Sequence, residues 1–316
     1  MVKENSFFEY VKKNKLLHLI ELPVLIGEKG HNNLYNIIEQ RLCCFINKLA
    51  VPYFKSVGYC YSLEEGPIYN NPINQIRVLT EGIKQSIKTK DYVPFKNALD
   101  SIGFLEFVPK SSLLSETILF RSRKGNRVHI KDFYHCPFER DNEEKNENVR
   151  KYGRFDTTNL VSWYLGMSQE VCAVENEGDN SESCLSIIQF HLKEGYEVNI
   201  VDLTSEKIHK GVEEIKESDI VFFPLYLACY CVAEDKEDKE IYMISQYLAQ
   251  YIHENQDRIG VKGLQYFTVR YKDLFPQETT YKNICLFPEK DNASDEGYDM
   301  ELMNKFEFEG IQHIEL

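Results

Sequence analysis

The sequence lacks several features that would assign it to a familiar class of protein. Its 316 residues include 50 acids but only 37 lysines and arginines, for a net charge of −13. Nucleic acids and membrane surfaces are anionic, so this shortage of positive charge argues against general binding to either. The chain opens with polar residues and contains no apolar run near the roughly 18 residues of a membrane-spanning helix. We therefore expect a cytoplasmic protein with no membrane contact and no direct nucleic-acid binding.

Motifs for metal and nucleotide chemistry are also missing. The nine cysteines form no Cys-x-x-Cys pair, and Cys43-Cys44 and Cys229-x-Cys231 are too closely spaced to suggest zinc binding. There is no His-Glu-x-x-His, no Gly-x-Gly-x-x-Gly and no Walker motif. No Ser/His/Asp or Cys/His spacing supports nucleophilic catalysis, so we interpret His135 as a structural histidine. We expect reduced thiols and no catalytic metal.

The chain does contain enough apolar residues, 43% of the total, to build a core. Its length fits one large domain or two ordinary ones. In the first third, apolar residues recur at three- and four-residue steps, which predict amphipathic helices. Pro52 is expected to end one helix, and Asn71-Pro72 to mark a loop. We predict a mostly α-helical N-terminal domain over residues 1–112, with helices over the first part of 7–27 and over 33–50, 76–86 and 94–102.

The pattern changes after residue 113, where short apolar runs typical of β-strands recur among three helix-like stretches. The order is not a strict βαβ alternation, so an α+β domain with a mainly antiparallel or mixed sheet fits better than a Rossmann fold. This second domain is predicted to occupy residues 113–316. Its helices are predicted over 168–176, 206–216 and 240–254, and its strands over 118–120, 162–165, 185–191, 197–201, 265–269, 284–287 and 305–309.

A central block carries a more specific signal. It contains, in order, the segments LFRSR, FYHCPFER, YGRF, WYLGMS and CAVE. This block resembles the RES domain family, and the segments VNIVDLT, EIYMISQYLAQYI, GLQYFTVR and NICLF extend the resemblance over about residues 113–290. The resemblance implies an ADP-ribosyltransferase-like split β-sandwich. It also implies an NAD-degrading or ADP-ribosylating toxin of a toxin–antitoxin system, whose usual antitoxin is an Xre-like DNA-binding protein.

The chemistry that the resemblance implies requires few residues. The nicotinamide of NAD is a cationic pyridinium, so it leaves as a neutral molecule and needs no general acid. One carboxylate suffices to hold the ribose and stabilise an oxocarbenium-like transition state, whereas ordinary glycosidases use two. The resemblance assigns this catalytic role to Glu175. Without it, Glu175 would be interpreted as a solvated helix-end acid beside Glu177.

The same resemblance adds Arg121 and Tyr164 to Glu175 as candidate catalytic residues. It also identifies candidate NAD-binding residues. Arg121, which ends an apolar run, and Arg154 could grip the pyrophosphate, because a guanidinium binds phosphate oxygens in pairs. Tyr164 could stack on the nicotinamide or the ribose region. Thr268 stands where the family has its serine. The threonine keeps the hydroxyl, but it adds a methyl group and has a stiffer side chain. Without the resemblance, salt bridges would explain the presence of the two arginines, and ordinary packing would explain Tyr164 and Thr268.

The sequence leaves several functions open. Water as the acceptor of ADP-ribose gives a glycohydrolase, phosphate gives a phosphorylase, and a protein side chain gives an ADP-ribosyltransferase with a protein target. The partner could be an antitoxin or another regulatory protein. One alternative is a binding or regulatory protein that keeps the fold without the chemistry, for which Thr268 leaves room. A less favoured alternative is an N-terminal HEPN-type ribonuclease, because its Arg-x4–6-His motif matches only Arg123 and His129, outside the helical region.

Overall fold

The computed structural model describes residues 7–22, 24–26, 31–59, 71–134, 153–157, 160–176, 184–204, 215–233, 239–268, 281–288 and 299–315. The chain divides into two compact units. The first unit comprises Met1–Pro109, Ser205–Tyr251 and Phe275–Gln277, and the second comprises Lys110–Thr204, Ile252–Leu274 and Glu278–Leu316. The first break lies three residues before the boundary predicted at 112. The second difference is larger, because residues 205–251 belong to the first unit and not to a continuous domain over 113–316.

The secondary structure confirms an α+β protein. The helices are α1 Phe7–Lys13, α2 His31–Cys44, α3 Val51–Ser56, α4 Pro72–Thr89, α5 Tyr92–Ser101, α6 Phe104–Phe107, α7 Gln169–Asn176, α8 Glu217–Val221, α9 Phe223–Cys229, α10 Met243–Glu254, α11 Gln256–Ile259 and α12 Met300–Met303. The strands are β1 Val24–Ile26, β2 Lys110–Leu113, β3 Leu119–Lys124, β4 Trp163–Gly166, β5 Cys184–Leu192, β6 Val198–Asp202, β7 Cys231–Ala233, β8 Gly263–Phe267, β9 Lys282–Leu286 and β10 Phe306–Glu315.

Two proline positions in the helical unit differ from the prediction. Pro52 does not end a helix; it lies in the first turn of α3, which follows α2 through a π-helical stretch, Phe45–Ala50. Val51 N still donates to Ile46 O of the π-helical stretch, so the helix continues past the proline. Asn71-Pro72 likewise begins a helix: the Asn71 side chain accepts hydrogen bonds from Ile73 N at 3.0 Å and Asn74 N at 3.3 Å.

Close helix packing and one strand pair hold the helical unit together. A Cβ on Gly82 of α4 would lie 2.3 Å from the Ala98 Cβ of α5, so this glycine allows the two helices to approach closely. The Ser86 hydroxyl accepts a hydrogen bond from Phe95 N at 2.9 Å in the same contact. Strands β1 and β7 pair in parallel, with Val24 opposite Cys231. This pairing connects the 205–251 segment to the N-terminal residues of the unit.

The second unit is built on an eight-stranded sheet with the order β10-β5-β3-β4-β9-β8-β6-β2. Only β6 and β8 pair in parallel, and the other neighbours are antiparallel, which confirms a mixed and mainly antiparallel sheet. Strand β2 was not predicted. Ser111 and Ser112, the last two residues of the predicted N-terminal domain, lie inside it, because pairing with β6 makes a strand of residues whose side chains alone do not favour one.

The two faces of the sheet have different composition. Side chains alternate along a strand and directly opposed residues share a face, so the register assigns each residue to one side. The first face, which we call the core face, carries the main apolar cluster of the unit, with Trp163, Leu165, Ile188, Phe190, Ile284 and Leu286. The second face, which we call the α7 face, carries Tyr164, Gly166, Asn283, Cys285 and Tyr266.

None of the described helices is long and apolar enough to cross a membrane. The cysteines in the described residues are free thiols, namely Cys43, Cys44, Cys172, Cys184, Cys229, Cys231 and Cys285.

Candidate functional site

Helix α7 places Glu175 over the α7 face of the sheet. Residues three and four apart lie on one side of a helix, so Glu175 shares a side with buried Val171 and Cys172. Below Cys172 lies Gly166, where a Cβ would approach the Cys172 Sγ to 2.8 Å and the Ser168 carbonyl oxygen to 3.1 Å. The absence of a side chain at Gly166 therefore allows α7 to pack close to the sheet. This short distance brings the next turn, with Glu175, onto the strands.

Two buried side chains hold the Glu175 carboxylate. The Thr268 hydroxyl donates to Glu175 Oε1 at 2.5 Å, and the Asn283 amide Nδ2 donates to the same oxygen at 2.9 Å. Thr268 is 1% exposed and Asn283 is 4% exposed. Thr268 is itself held at the end of β8, where its backbone N donates to Tyr281 O at 3.0 Å. The carboxylate is therefore oriented by donors from two neighbouring strands.

Tyr164 lies on the same face, one strand away. Register pairs Gly166 with Asn283 and Tyr164 with Cys285, so the Tyr164 ring and the Asn283 amide emerge on one side. The Tyr164 hydroxyl accepts a hydrogen bond from Phe155 N at 2.8 Å. Burial, with the nearby Asp156 carboxylate as a second cause, raises the pKa of Tyr164 well above its ordinary value. Tyr164 is therefore a neutral phenol that cannot serve as a base near neutral pH.

The turn at residues 153–156 is held in place by hydrogen bonds within the turn and with Ser162. The Asp156 carboxylate accepts from Gly153 N at 2.8 Å and from Ser162 N at 2.9 Å. The Ser162 hydroxyl donates to Phe155 O at 3.0 Å. The Phe155 ring packs edge-on against Tyr266 of β8, with centroids 4.8 Å apart. These contacts fix the turn on the α7 face.

This turn carries the predicted arginine Arg154. A Cβ on Gly153 would lie 2.5 Å from the Tyr164 hydroxyl oxygen, so only glycine fits where the turn meets that ring. Arg154 follows at once and is 8% exposed. The structure thus brings Tyr164 together with the turn that carries Arg154, through the hydrogen bond from Phe155 N. Glu175 and Thr268 are brought together directly.

Arg121 lies on the other side of the sheet. It is directly opposite Ile188, a member of the core-face cluster, and it is 9% exposed. Its guanidinium carbon is 5.7 Å from the centre of the Trp163 ring, and its Nη1 donates to the backbone carbonyl of Tyr164 at 3.2 Å. Arg121 therefore supports the strand that carries Tyr164 from the face opposite the Tyr164 ring.

The residues of the ribonuclease motif serve a different local structure. Arg123 Nε donates to the Asp132 carbonyl at 3.2 Å, and His129 N donates to the Asp132 carboxylate at 3.3 Å. Both belong to the sheet unit and stabilise the 3-10 turn Ile130–Phe133. Arg127, at the surface turn that follows β3, donates from Nε to Lys124 O at 3.0 Å. His135 lies outside the described residues.

Within the described ranges, no group of three or more His, Cys, Asp or Glu side chains is placed to hold a metal ion. The sequence interpretation missed Asn283, whose proximity to Glu175 depends on strand register more than 100 residues away. Its only signal was its place in NICLF, a segment of the family resemblance, directly before the strand predicted over 284–287. A scan of known family models finds no match to the chain, and searches of curated proteins and of solved structures find no similar protein.

Proposed function

We propose that the sheet unit binds NAD and cleaves its nicotinamide–ribose bond, with Glu175 as the catalytic carboxylate. One observation carries this proposal: Thr268 and Asn283 both donate to Glu175 Oε1, on the face that also carries Tyr164 and the Arg154 turn. A carboxylate fixed in this way can accept a ribose hydroxyl and place negative charge beside the developing oxocarbenium ion. Charge that is oriented in advance stabilises a transition state without reorganisation during the reaction.

The chemistry suits a site with one oriented carboxylate. As the bond breaks, its electron pair moves to the pyridinium nitrogen, so nicotinamide departs neutral and requires no proton. The ribose carbon takes on positive charge and is then attacked by the acceptor. Because Tyr164 is held as a neutral phenol, its part in this proposal is to bind and orient and not to transfer a proton.

The arginines receive different roles. Arg154 is the candidate for the pyrophosphate, since its turn is fixed on the α7 face beside Tyr164. Arg121 contacts Trp163 and the Tyr164 carbonyl from the core face, so we assign it to positioning β4 and not to direct contact with NAD. Thr268 supplies the hydroxyl expected of the family serine, and it does so to Glu175.

The proposal includes an ADP-ribosyltransferase-like fold of the RES type. The structural support for this fold is the narrow junction between β3 and β4. These two strands pair at one position, Phe120 with Gly166, whereas β3 pairs with β5 along all six residues of β3. Because the junction is so narrow, the sheet resembles two smaller sheets that meet at β3 and β4, which is the arrangement of a split β-sandwich. The biological setting that the resemblance to the RES family implies is a toxin-like enzyme restrained by an antitoxin or another regulatory protein, with water, phosphate or a protein target as acceptor.

The test is nicotinamide release from NAD by the purified full-length chain, with and without phosphate. Thr268→Ser should retain activity because it keeps the hydroxyl. Thr268→Val should lower the rate of nicotinamide release by about 10- to 100-fold, which is the effect of losing a hydrogen bond to a charged group. Glu175→Ala should lose at least about 100-fold. Glu194→Gln, which neutralises an exposed acid in a surface turn, is the matched control and should be fully active.

The outcomes separate the alternatives. Release that depends on phosphate identifies a phosphorylase, and release without phosphate identifies a glycohydrolase. NAD binding by calorimetry without release, in a folded chain, would favour the non-catalytic binding protein. Release that survives Glu175→Ala would contradict the assignment of the carboxylate.

A further inference from the structure

We infer that Asn283 is a positioning residue that holds Glu175 in its working orientation. This inference deepens the proposed function and rests on it. It starts from the 2.9 Å hydrogen bond from Asn283 Nδ2 to Glu175 Oε1. A carboxylate oxygen only accepts, so the nitrogen end of the amide must face it, and this fixes which way the Asn283 side chain is turned.

The position of Asn283 in the sheet explains why it can serve this purpose. Asn283 lies within β9, paired on one side with Gly166 of β4 and on the other with Tyr266 of β8. Thr268 lies just beyond the end of β8 and contacts the same oxygen. Asn283 is therefore the donor anchored inside the sheet, whereas Thr268 is anchored at a strand end. Two donors from differently anchored positions restrict the carboxylate more than either alone.

The neutrality of the amide matters as much as its geometry. An aspartate has nearly the same shape as asparagine, yet it would place a second carboxylate about as close to Glu175 as the amide now is. Two carboxylates at that separation do not both ionise readily, so the pair retains a proton to a higher pH. An asparagine at this position supplies a donor and leaves Glu175 as the only acid of the contact.

The thiols and the phenol near Glu175 do not obscure such a titration, and the Asp156 carboxyl is common to wild type and the variant. Burial raises the pKa of Cys172 to about 12 and raises those of Tyr164 and Cys285 well above their ordinary values, so these groups remain neutral in acid. Among the described residues, the titratable side chains on the α7 face near this region are Cys172 of α7, Tyr164 of β4, Tyr266 of β8 and Cys285 of β9, and the 153–156 turn with Arg154 and Asp156 packs on the same face. Arg121 and Lys282 lie on the core face.

The experiment compares kcat as a function of pH for the full-length chain and the Asn283→Asp variant. We expect the acidic limb of the profile to move upward by about 1 to 3 pH units, the size of shift that a close charge causes. Asn283→Ala should lower kcat with little change in KM and leave the acidic limb within about half a pH unit of wild type, since it adds no charge. Asn304→Asp, at an exposed helix end, is the control and should leave the profile unchanged.

A second measurement keeps this inference separate from the proposed function. The carboxyl carbon of Glu175 can be followed by NMR titration in 13C-glutamate-labelled protein, with Glu175→Gln to assign its signal. If wild type cleaves NAD but Asn283→Asp leaves the kcat profile unchanged, the positioning role is overturned and the proposed function stands. If wild type cleaves no NAD, the proposed function fails. An upward shift of the Glu175 titration in Asn283→Asp would then still support the contact, and an unchanged titration would overturn it.

Discussion

Gly166→Ala should separate α7 from the sheet and thereby disturb Glu175, although the two residues do not touch. The added Cβ would lie 2.8 Å from Cys172 Sγ and 3.1 Å from the Ser168 carbonyl oxygen. Ordinary contacts between such atoms are about 3.5 to 4 Å, so the helix must move by several tenths of an ångström. The hydrogen bonds to Glu175, at 2.5 and 2.9 Å, lie one turn further along the same helix.

The magnitude follows from two opposing effects. Overpacking of this kind costs about 1–3 kcal/mol, while replacing glycine by alanine restricts the unfolded chain and returns about 0.4–1 kcal/mol. We therefore expect a net loss of about 1–2 kcal/mol in the free energy of unfolding, measured by urea denaturation. A misplaced catalytic group costs up to about 100-fold in rate, so nicotinamide release should fall by about 10- to 100-fold.

Two further variants test the reasoning. Gly310→Ala adds the same methyl group where nothing lies within 4 Å, so it should be neutral or slightly stabilising and fully active. Cys172→Ala removes the nearest atom and should restore part of the stability and activity of Gly166→Ala, giving a favourable coupling in a double-mutant cycle. A Gly166→Ala protein that is as stable and active as Gly310→Ala would show that Gly166 does not determine the distance between α7 and the sheet.

Three other predictions concern the same face. Gly153→Ala should be destabilising because its Cβ would lie 2.5 Å from the Tyr164 oxygen, and Tyr164→Phe in the same chain should relieve part of the loss, as measured by thermal unfolding. The Cys172 and Cys285 thiols, whose pKa values are raised by burial, should resist iodoacetamide at pH 8 until the protein is unfolded, as peptide mass spectrometry would show. Because the folded state keeps these protons longer than the unfolded state, their contribution to stability is complete below about pH 8.5. It should decline above that by about 1.4 kcal/mol per pH unit for each thiol, and stability that stays constant from pH 8.5 to 10.5 would contradict this.

The sequence predicts those elements whose local pattern agrees with their tertiary role. Helices α4 and α5 lie where the three- and four-residue periodicity places them, and β4, β5 and α7 are within two residues of their predicted ranges. Strand β2 was missed because its pairing with β6 determines its conformation. The assignment of residues 205–251 to the helical unit was also missed, since the parallel pair of β1 and β7 joins residues about 200 positions apart.

Some residues of the candidate site could be predicted from the sequence and others could not. Glu175 and Thr268 were singled out through the family resemblance, and the structure joins them by a hydrogen bond. Asn283 could not be found, because its contact with Glu175 depends on which residue of β9 stands opposite Gly166. Arg121 shows how sensitive such placements are. A shift of one residue in register moves every side chain to the other face, and the actual register places Arg121 opposite Ile188, on the core face.

We propose that the Glu175 carboxylate stabilises the transition state in which the nicotinamide–ribose bond of NAD breaks. The most direct measurement is the rate of nicotinamide release by the wild-type chain and by Glu175→Gln, a change of nearly equal shape that removes the charge. We expect release by wild type and a loss of at least about 100-fold in the variant, with an unchanged midpoint in urea denaturation. Equal rates in the two proteins, or no release by a folded wild-type chain that binds NAD, would contradict it.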